Sequence, residues 1–431
     1  MIDLAIAGGR VLDPVRGLDV VGDVLIDGGK VMGVAAPGAG PKARAVVDAA
    51  GLWVTPGLID MHVHLREPGG EHKETIASGV AAAVAGGFTT IAAMANTDPV
   101  NDDVEVTRWI RARAAEVGLA HVLPIAAVTK RLAGEELTDF AALRAAGAVA
   151  FSDDGMPITS ESTMRRALAA AADVGAPIIA HEEDRACSAG AAMHAGVVAD
   201  RLGVRGVDAE GEAAMIARDC ALAAALGARL HVAHVSTAAG IAYLRRARAG
   251  TKGITAEATP HHFTLDVSAV ERHGPNAKMN PPLRDPADVD AVRTALADGT
   301  IEVIASDHAP HHADEKARGL AEAPFGIVGL ETAVGLTLVL IQAGVLSVIA
   351  AVRALTLGPA RVLGLKSGQL TRGVAADVSL VDPEITWTVD PTTFKSRSRN
   401  TPFAGMELRG RAVGVCIGGR LIGDLDARLR R

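Results

Sequence analysis

The sequence predicts an α/β protein, a (β/α)8 TIM barrel with a small β-sandwich domain built from the N- and C-terminal segments. Three observations lead there. Short apolar runs alternate with alanine-rich stretches through the middle of the chain, eight such runs can be counted, and both ends share a different texture of β-branched runs broken by paired glycines.

Residues 1–54 read as short strands between turns. Asp3–Ala7 ends at Gly8-Gly9, Asp23–Asp27 ends at Gly28-Gly29, and another strand runs through Lys30–Val34. This section is too small to form a sandwich alone. Residues 55–364 read as repeated βα units. The candidate strands are Val54–Asp60, Thr89–Ala95, His121–Val128 and Gly147–Ser152, then Pro177–Ala180, Arg229–Ala233, Ile254–Ala258 and Ile301–Ser306. The segments between them are rich in Ala, Leu, Arg and Glu, which form helices readily. Parallel strands joined by crossover helices close a barrel of typically ~250 residues, and the extra length here is assigned to loops after strands five and seven. Over 365–431 the hairpin texture returns: Ala376–Asp382 alternates, and Val413–Ile417 runs into Gly418-Gly419. Pairing the two terminal segments gives one small β domain beside the barrel.

Composition removes several function classes. Across 431 residues, 49% are hydrophobic and 22% charged, which excludes intrinsic disorder. A net charge of -7 argues against a nucleic-acid binder. No apolar run approaches the ~20 residues of a membrane span, and Met1–Leu4 lacks the basic start of a signal peptide. Three scattered cysteines (Cys187, Cys220, Cys416) make neither a disulfide framework nor a zinc finger, which fits a reducing cytoplasm. Aromatic residues are only 3%, so alanine and branched aliphatics must fill the core.

Polar residues gather at the strand ends. Strand one runs into Asp60, His62, His64 and Arg66, strand two into Asn96, and strand four into Asp153-Asp154-Gly155. Strands five, six and eight end at His181, His234 and Asp307. In a (β/α)8 barrel these positions converge on the face where active sites are built. His62 and His64 alternate by two, so on a strand both imidazoles project to one side. A lone His-x-His pair is a weak signal. Four imidazoles and two carboxylates at one rim are different, because burying them together is costly unless something satisfies them. A metal does so. Imidazole and carboxylate without thiolate suit Zn²⁺, with Mn²⁺, Co²⁺ or Fe²⁺ as substitutes. Six ligands exceed the needs of one catalytic zinc, so two ions sharing a carboxylate and a hydroxide fit better.

The motifs themselves are similar to a known family. Asp60-Met61-His62-Val63-His64 after Thr55-Pro56-Gly57 resembles the amidohydrolase superfamily, and His64–Thr75 resembles class I dihydroorotase. So do Met94–Thr97, Phe151–Gly155, Met279–Arg284, Ser306–His311 and Asn400–Gly405, in the same order along nearly the whole chain. The resemblance implies that His62, His64 and Asp307 bind one ion and His181 and His234 the other. Many relatives bridge the ions with a carboxylated lysine after strand four; here Ala150–Asp154 has none, so an aspartate is expected instead. Ser152 and Asp154 share a strand face, and the relatives' lysine matches that face, so Asp154 is expected to bridge, with Asp153 the alternative. Lys130 is read as a solvated loop residue. One departure is Ala95, where most relatives carry proline.

What the resemblance implies for activity is the interconversion of L-dihydroorotate and N-carbamoyl-L-aspartate in pyrimidine biosynthesis. A metal-bridging hydroxide attacks the ring carbonyl and Asp307 acts as general base, then acid. His64, Leu65 and Arg66 would face the substrate, with Arg66 taking its carboxylate bidentately and Asn96 and His311 completing the grip. Asn280 and the backbone at Phe325 and Gly326 would hold the ureido edge. His308 is expected to point away from the ions, and His261 and His262 to orient ligands. The run Glu71-His72-Lys73-Glu74 reads as the charged first turn of a solvated helix. A homodimer and an assembly with aspartate transcarbamoylase stay open. The rival readings are an allantoinase or dihydropyrimidinase, disfavoured by Arg66 with Asn96, and a non-catalytic scaffold, disfavoured because every expected ligand is present.

Overall fold

The computed structural model describes residues 1–423, 425 and 429–430. Its centre is an eight-stranded parallel sheet whose strands follow one another in chain order. They are Leu58–Val63, Phe88–Ala93, His121–Ala126, Ala150–Phe151, Ile178–Ala180, Leu230–Val232, Ile254–Ala258 and Val303–Ile304. The first two are buried at every position, as expected of strands covered on both faces. The barrel closes between its first and last strands. Val63 and His308 form a parallel bridge, and His64 N donates to His308 O at 2.8 Å. The Asp60 carboxylate fastens the same seam by accepting Ser306 N at 3.1 and 3.2 Å.

The helices cover the barrel for local reasons. Val104–Val117 starts at Asp103, whose side chain accepts from Glu105 N and Val106 N, and stops at Gly118 in the left-handed region. Its buried residues Val106, Ile110 and Ala114 recur every four positions, one stripe against the strands. No helix of the described residues is long and apolar enough to cross a membrane.

The terminal segments join in one nine-stranded sheet. Trp53–Pro56 lies antiparallel to Val378–Thr388, so strands from the two ends of the chain are neighbours. The sheet has its own core, including Ile6, Val24, Ile26, Val54, Val378 and Leu380. Ser379 ties it to the barrel, donating to Gly87 O at 2.6 Å and accepting Leu58 N at 3.0 Å.

Two expectations are corrected. The run Val54–Asp60 is not one strand: Trp53–Pro56 belongs to the terminal sheet, and the barrel strand begins at Leu58. Gly57 is the pivot, packed so closely that a Cβ there would lie 2.1 Å from Thr89 Oγ1. Nor is Glu74 on a solvated helix. The helix is Ile76–Ala85, capped by Thr75, and Glu74 is fully buried before it, accepting from Arg397 N at 3.1 Å and from Ser78 and Ser396. Its partners from 396 and 397 are distant in sequence, a contact that local patterning does not encode.

Candidate metal centre

The strand ends bring the predicted ligands to one rim. His62, His64 and Asp154 place ligand atoms within 4.8 Å of one another, and so do Asp154, His181 and His234. Asp154 belongs to both groups. Its Oδ1 lies 3.5 Å from His62 Nε2 and 3.3 Å from both His181 Nδ1 and His234 Nε2, while its Oδ2 lies 3.5 Å from His64 Nε2. Asp307 Oδ1 is 3.1 Å from His64 Nε2 and 3.5 Å from His62 Nε2. All six side chains are buried. Asp153 turns the other way, accepting Val128 N at 2.7 Å and Thr129 N at 3.0 Å. Asp154, and not its neighbour, thus lies among the imidazoles, in the turn that follows the strand Ala150–Phe151.

Electrostatics and backbone both mark the rim. Burial works against every charge here, yet the carboxylates hold His62 well above the usual histidine range, and His181 reaches about 10. Burial likewise opposes ionisation of Asp154 and Asp307, and the imidazoles outweigh it, keeping both carboxyls well below their ordinary range. The cluster thus attracts positive charge. Among the non-glycine residues with positive φ are Arg66 (59°), His234 (32°) and Asp307 (47°), a left-handed conformation that costs about 1–3 kcal/mol each and concentrates at functional sites. His62 Nε2 is buried and has no hydrogen-bond partner. An orphaned nitrogen among carboxylate oxygens and three more imidazoles is a donor set that fits a divalent cation.

The predicted substrate residues lie beside the cluster. Arg66 donates from Nε to Pro310 O at 3.2 Å, and its Nη2 is 3.3 Å from His311 Nε2. His311 Nε2 is also 2.8 Å from Phe325 O. Burial and Arg66 pull His311 down to about 3, so the ring is neutral and its Nε2–H donates to Phe325 O. Asn96 Oδ1 accepts from His64 Nδ1 at 2.9 Å, which orients that ring. Asn280 Nδ2 reaches Glu183 Oε2 at 3.0 Å and lies 3.2 Å from His181 Nε2. Asn280, Glu183 and Phe325 line one cavity of about 420 Å³. Leu65 buries its side chain in the barrel core, so any contact it makes with a ligand runs through its backbone.

Of the lone histidines, His308 bonds Glu74 and Gly329 N, outside the ligand cluster. His262 bonds Thr259 Oγ1 and Pro281 O, and His261 Nε2 is buried with no hydrogen bond. Lys130 pairs with Glu136 on the surface.

Known proteins share this architecture and sequence. Residues 51–239 match the family described as dihydro-orotase-like. A dihydroorotase of Anaeromyxobacter dehalogenans (strain 2CP-1) is 50% identical over 426 residues, 98% of each chain. One from Syntrophotalea carbinolica is 49% identical over 97% of this chain and 98% of its own. The chain belongs to the dihydroorotase family. Among solved structures, the L-hydantoinase (dihydropyrimidinase) of Arthrobacter aurescens superposes with a TM-score of 0.87 at 24% identity, covering 99% of this chain and 97% of that one. The dihydropyrimidinase of Brevibacillus agri gives 0.83 at 23%, over 98% and 95%. At that identity the likeness is one of fold.

Within this dihydroorotase-family site, three carboxylates escaped the sequence reading. Glu257, fully buried, faces His62 Nδ1 at 2.6 Å and His231 Nε2 at 3.2 Å. Glu183 faces His181 Nε2 at 3.1 Å. Each aims an imidazole through its far nitrogen, the usual way a carboxylate orients a metal-binding histidine. Glu212 lies behind His234. It accepts Ser236 N and Thr237 N at 3.0 Å, Thr237 Oγ1 at 2.8 Å and Arg284 Nη2 at 3.2 Å, which locks the turn after the strained residue. Glu257 had a readable signal: it is the acid inside the otherwise uncharged strand Ile254–Ala258.

Proposed function

We propose that the chain is a zinc-dependent cyclic amidohydrolase of the cytoplasm that interconverts L-dihydroorotate and N-carbamoyl-L-aspartate. The barrel from Leu58 onward would be the catalytic domain, and the terminal sheet, which takes in Trp53–Pro56, the β domain. The observation that carries this reading is the shared position of Asp154 between two histidine pairs with Arg66 beside them. His62, His64 and Asp307 would hold one cation and His181 and His234 the other, with Asp154 common to both. Two such cations supply Lewis acidity and lower the pKa of water, giving a nucleophile at neutral pH.

The remaining steps belong to the chain's own residues. Arg66 is fixed by Pro310 O and stays charged at neutral pH, although burial lowers it to about 10. It binds the substrate carboxylate, a group that a hydantoin ring lacks. Asn280 binds the ureido edge, and Asn96, whose oxygen is occupied by His64, offers its Nδ2 to the ligand. In hydrolysis a water oxygen adds to the ring carbonyl carbon and its proton passes to Asp307. The ring C–N bond breaks, and Asp307 returns the proton to the leaving nitrogen. Cyclisation reverses each step. Asp307 suits the role by position, its Oδ1 lying 3.1 Å from His64 Nε2 and 3.5 Å from His62 Nε2, beside the place where a cation would be held.

The deciding experiment compares turnover of dihydroorotate, allantoin and dihydrouracil by metal-replete protein. Dihydroorotate should win by orders of magnitude, and a preference for either neutral ring would overturn the assignment.

A further inference from the structure

The short segment Pro324–Gly326 borders the cavity that also holds Asn280, and it is fastened from several directions. Gly326 N donates to Lys278 O at 2.9 Å, and Gly326 O accepts Asn400 Nδ2 at 3.0 Å. Phe325 O accepts from His311. Lys278 places its Nζ 4.5 Å from the centre of the Phe325 ring, donating meanwhile to Leu320 O and Ala321 O at 2.7 and 2.9 Å. Gly326 has φ +126°, and a Cβ there would lie 2.6 Å from Ala309 Cβ, so no other residue takes this path without strain.

The central fastener is Lys316. Its Nζ donates to Pro324 O and Gly326 O at 2.9 Å each and to Lys278 O at 3.4 Å. The side chain is 5% exposed, and among the described residues its ammonium makes no ion pair. Buried charges are normally paired with an opposite charge or neutralised. Burial, with Lys278 adding repulsion, pulls Lys316 down to about 7. A buried lysine with no carboxylate partner, bonded only to main-chain carbonyls, is there to hold those carbonyls in place. What it does is bracket Phe325 from both sides, through the carbonyls of 324 and 326.

Building on the dihydroorotase reading, we infer that Lys316 is a positioning residue for substrate: its ammonium sets the main chain at 324–326 and so the reach of Phe325 into the cavity. Phe325 as a residue is 38% exposed and lines the cavity beside Asn280. Lys316 touches none of the metal-binding side chains, so its effect falls on binding more than on chemistry.

The test uses Lys316→Met and Lys316→Arg in the full-length enzyme. For Lys316→Met, KM for dihydroorotate should rise about tenfold or more while kcat stays within threefold. Lys316→Arg, which keeps the donors, should recover part of the KM. Amide hydrogen exchange supplies a readout independent of substrate: protection at Gly326, whose N–H is bonded to Lys278 O, should drop at least tenfold in Lys316→Met and stay unchanged across the barrel strands. An unchanged KM with unchanged exchange overturns the inference, as does a joint fall of kcat and Tm, which marks a merely structural lysine. Wild-type protein inactive on dihydroorotate would refute the assigned activity instead, and the exchange result would still decide the role of Lys316.

Discussion

Replacing Glu257 with glutamine should loosen the metal without unfolding the barrel. The carboxylate is fully buried and is shared between His62 Nδ1 at 2.6 Å, His231 Nε2 at 3.2 Å and His234 N at 3.3 Å. Burial pushes it toward neutrality, but His62 and His231 hold it at about 2 against an ordinary 4.5. At roughly 1.4 kcal/mol per pKa unit this amounts to about 3 kcal/mol of preference for the charged form. That figure covers all its partners, so only part acts through His62. On removing such a partner of a ligand, metal affinity typically falls ~10–100-fold. Because its folded value is depressed, the stabilisation is complete above pH 4.5 and is lost only as pH falls through about 2. Measurements between pH 6 and 8 therefore see Glu257 fully ionised. The assay is competition with a chromophoric chelator, run beside a thermal melt of the metal-free protein. Metal affinity within twofold of wild type would refute the reasoning, because His62 would then be aimed without help from Glu257.

Further outcomes are expected at other positions. Asp307→Asn should keep the fold and abolish turnover, a drop of about 10²-fold or more in kcat by steady-state assay. Arg66→Ala should raise KM for both dihydroorotate and carbamoyl-aspartate with a smaller effect on kcat, since it removes the carboxylate partner and none of the proton-transfer groups. Glu212→Ala strands Arg284 as a buried unpaired cation and frees the turn at Ser236, so chemical denaturation should show a loss of about 3–5 kcal/mol.

The sequence carried most of the rim because barrel geometry turns strand ends into a list of neighbours. Alternation put Asp153 and Asp154 on different faces, and only the resemblance to relatives with a lysine favoured Asp154; His181, His234 and Asp307 were legible as polar residues at strand ends. Where one extended run passes from one sheet to another, pattern failed: Gly57 splits an apolar run between two sheets, and nothing in its hydropathy says so. Glu74, Glu183 and Glu212 look like ordinary acids of solvated turns and helices. Glu183 faces His181 only two residues away, whereas Glu74 and Glu212 find partners in distant segments or on a neighbouring strand end, such as Ser396 for Glu74. Tertiary proximity of this kind leaves no local trace. Lys316 is similarly opaque, for a lysine in the short helix Ala313–Lys316 gives no sign of being buried.

The seam at Asp60 and Ser306 has a consequence for biosynthesis. During translation the first histidine pair emerges some 245 residues before Asp307 arrives. Until the last strand docks on the first, Asp307 has no route to His62 and His64, so this part of the donor set exists only in the closed ring.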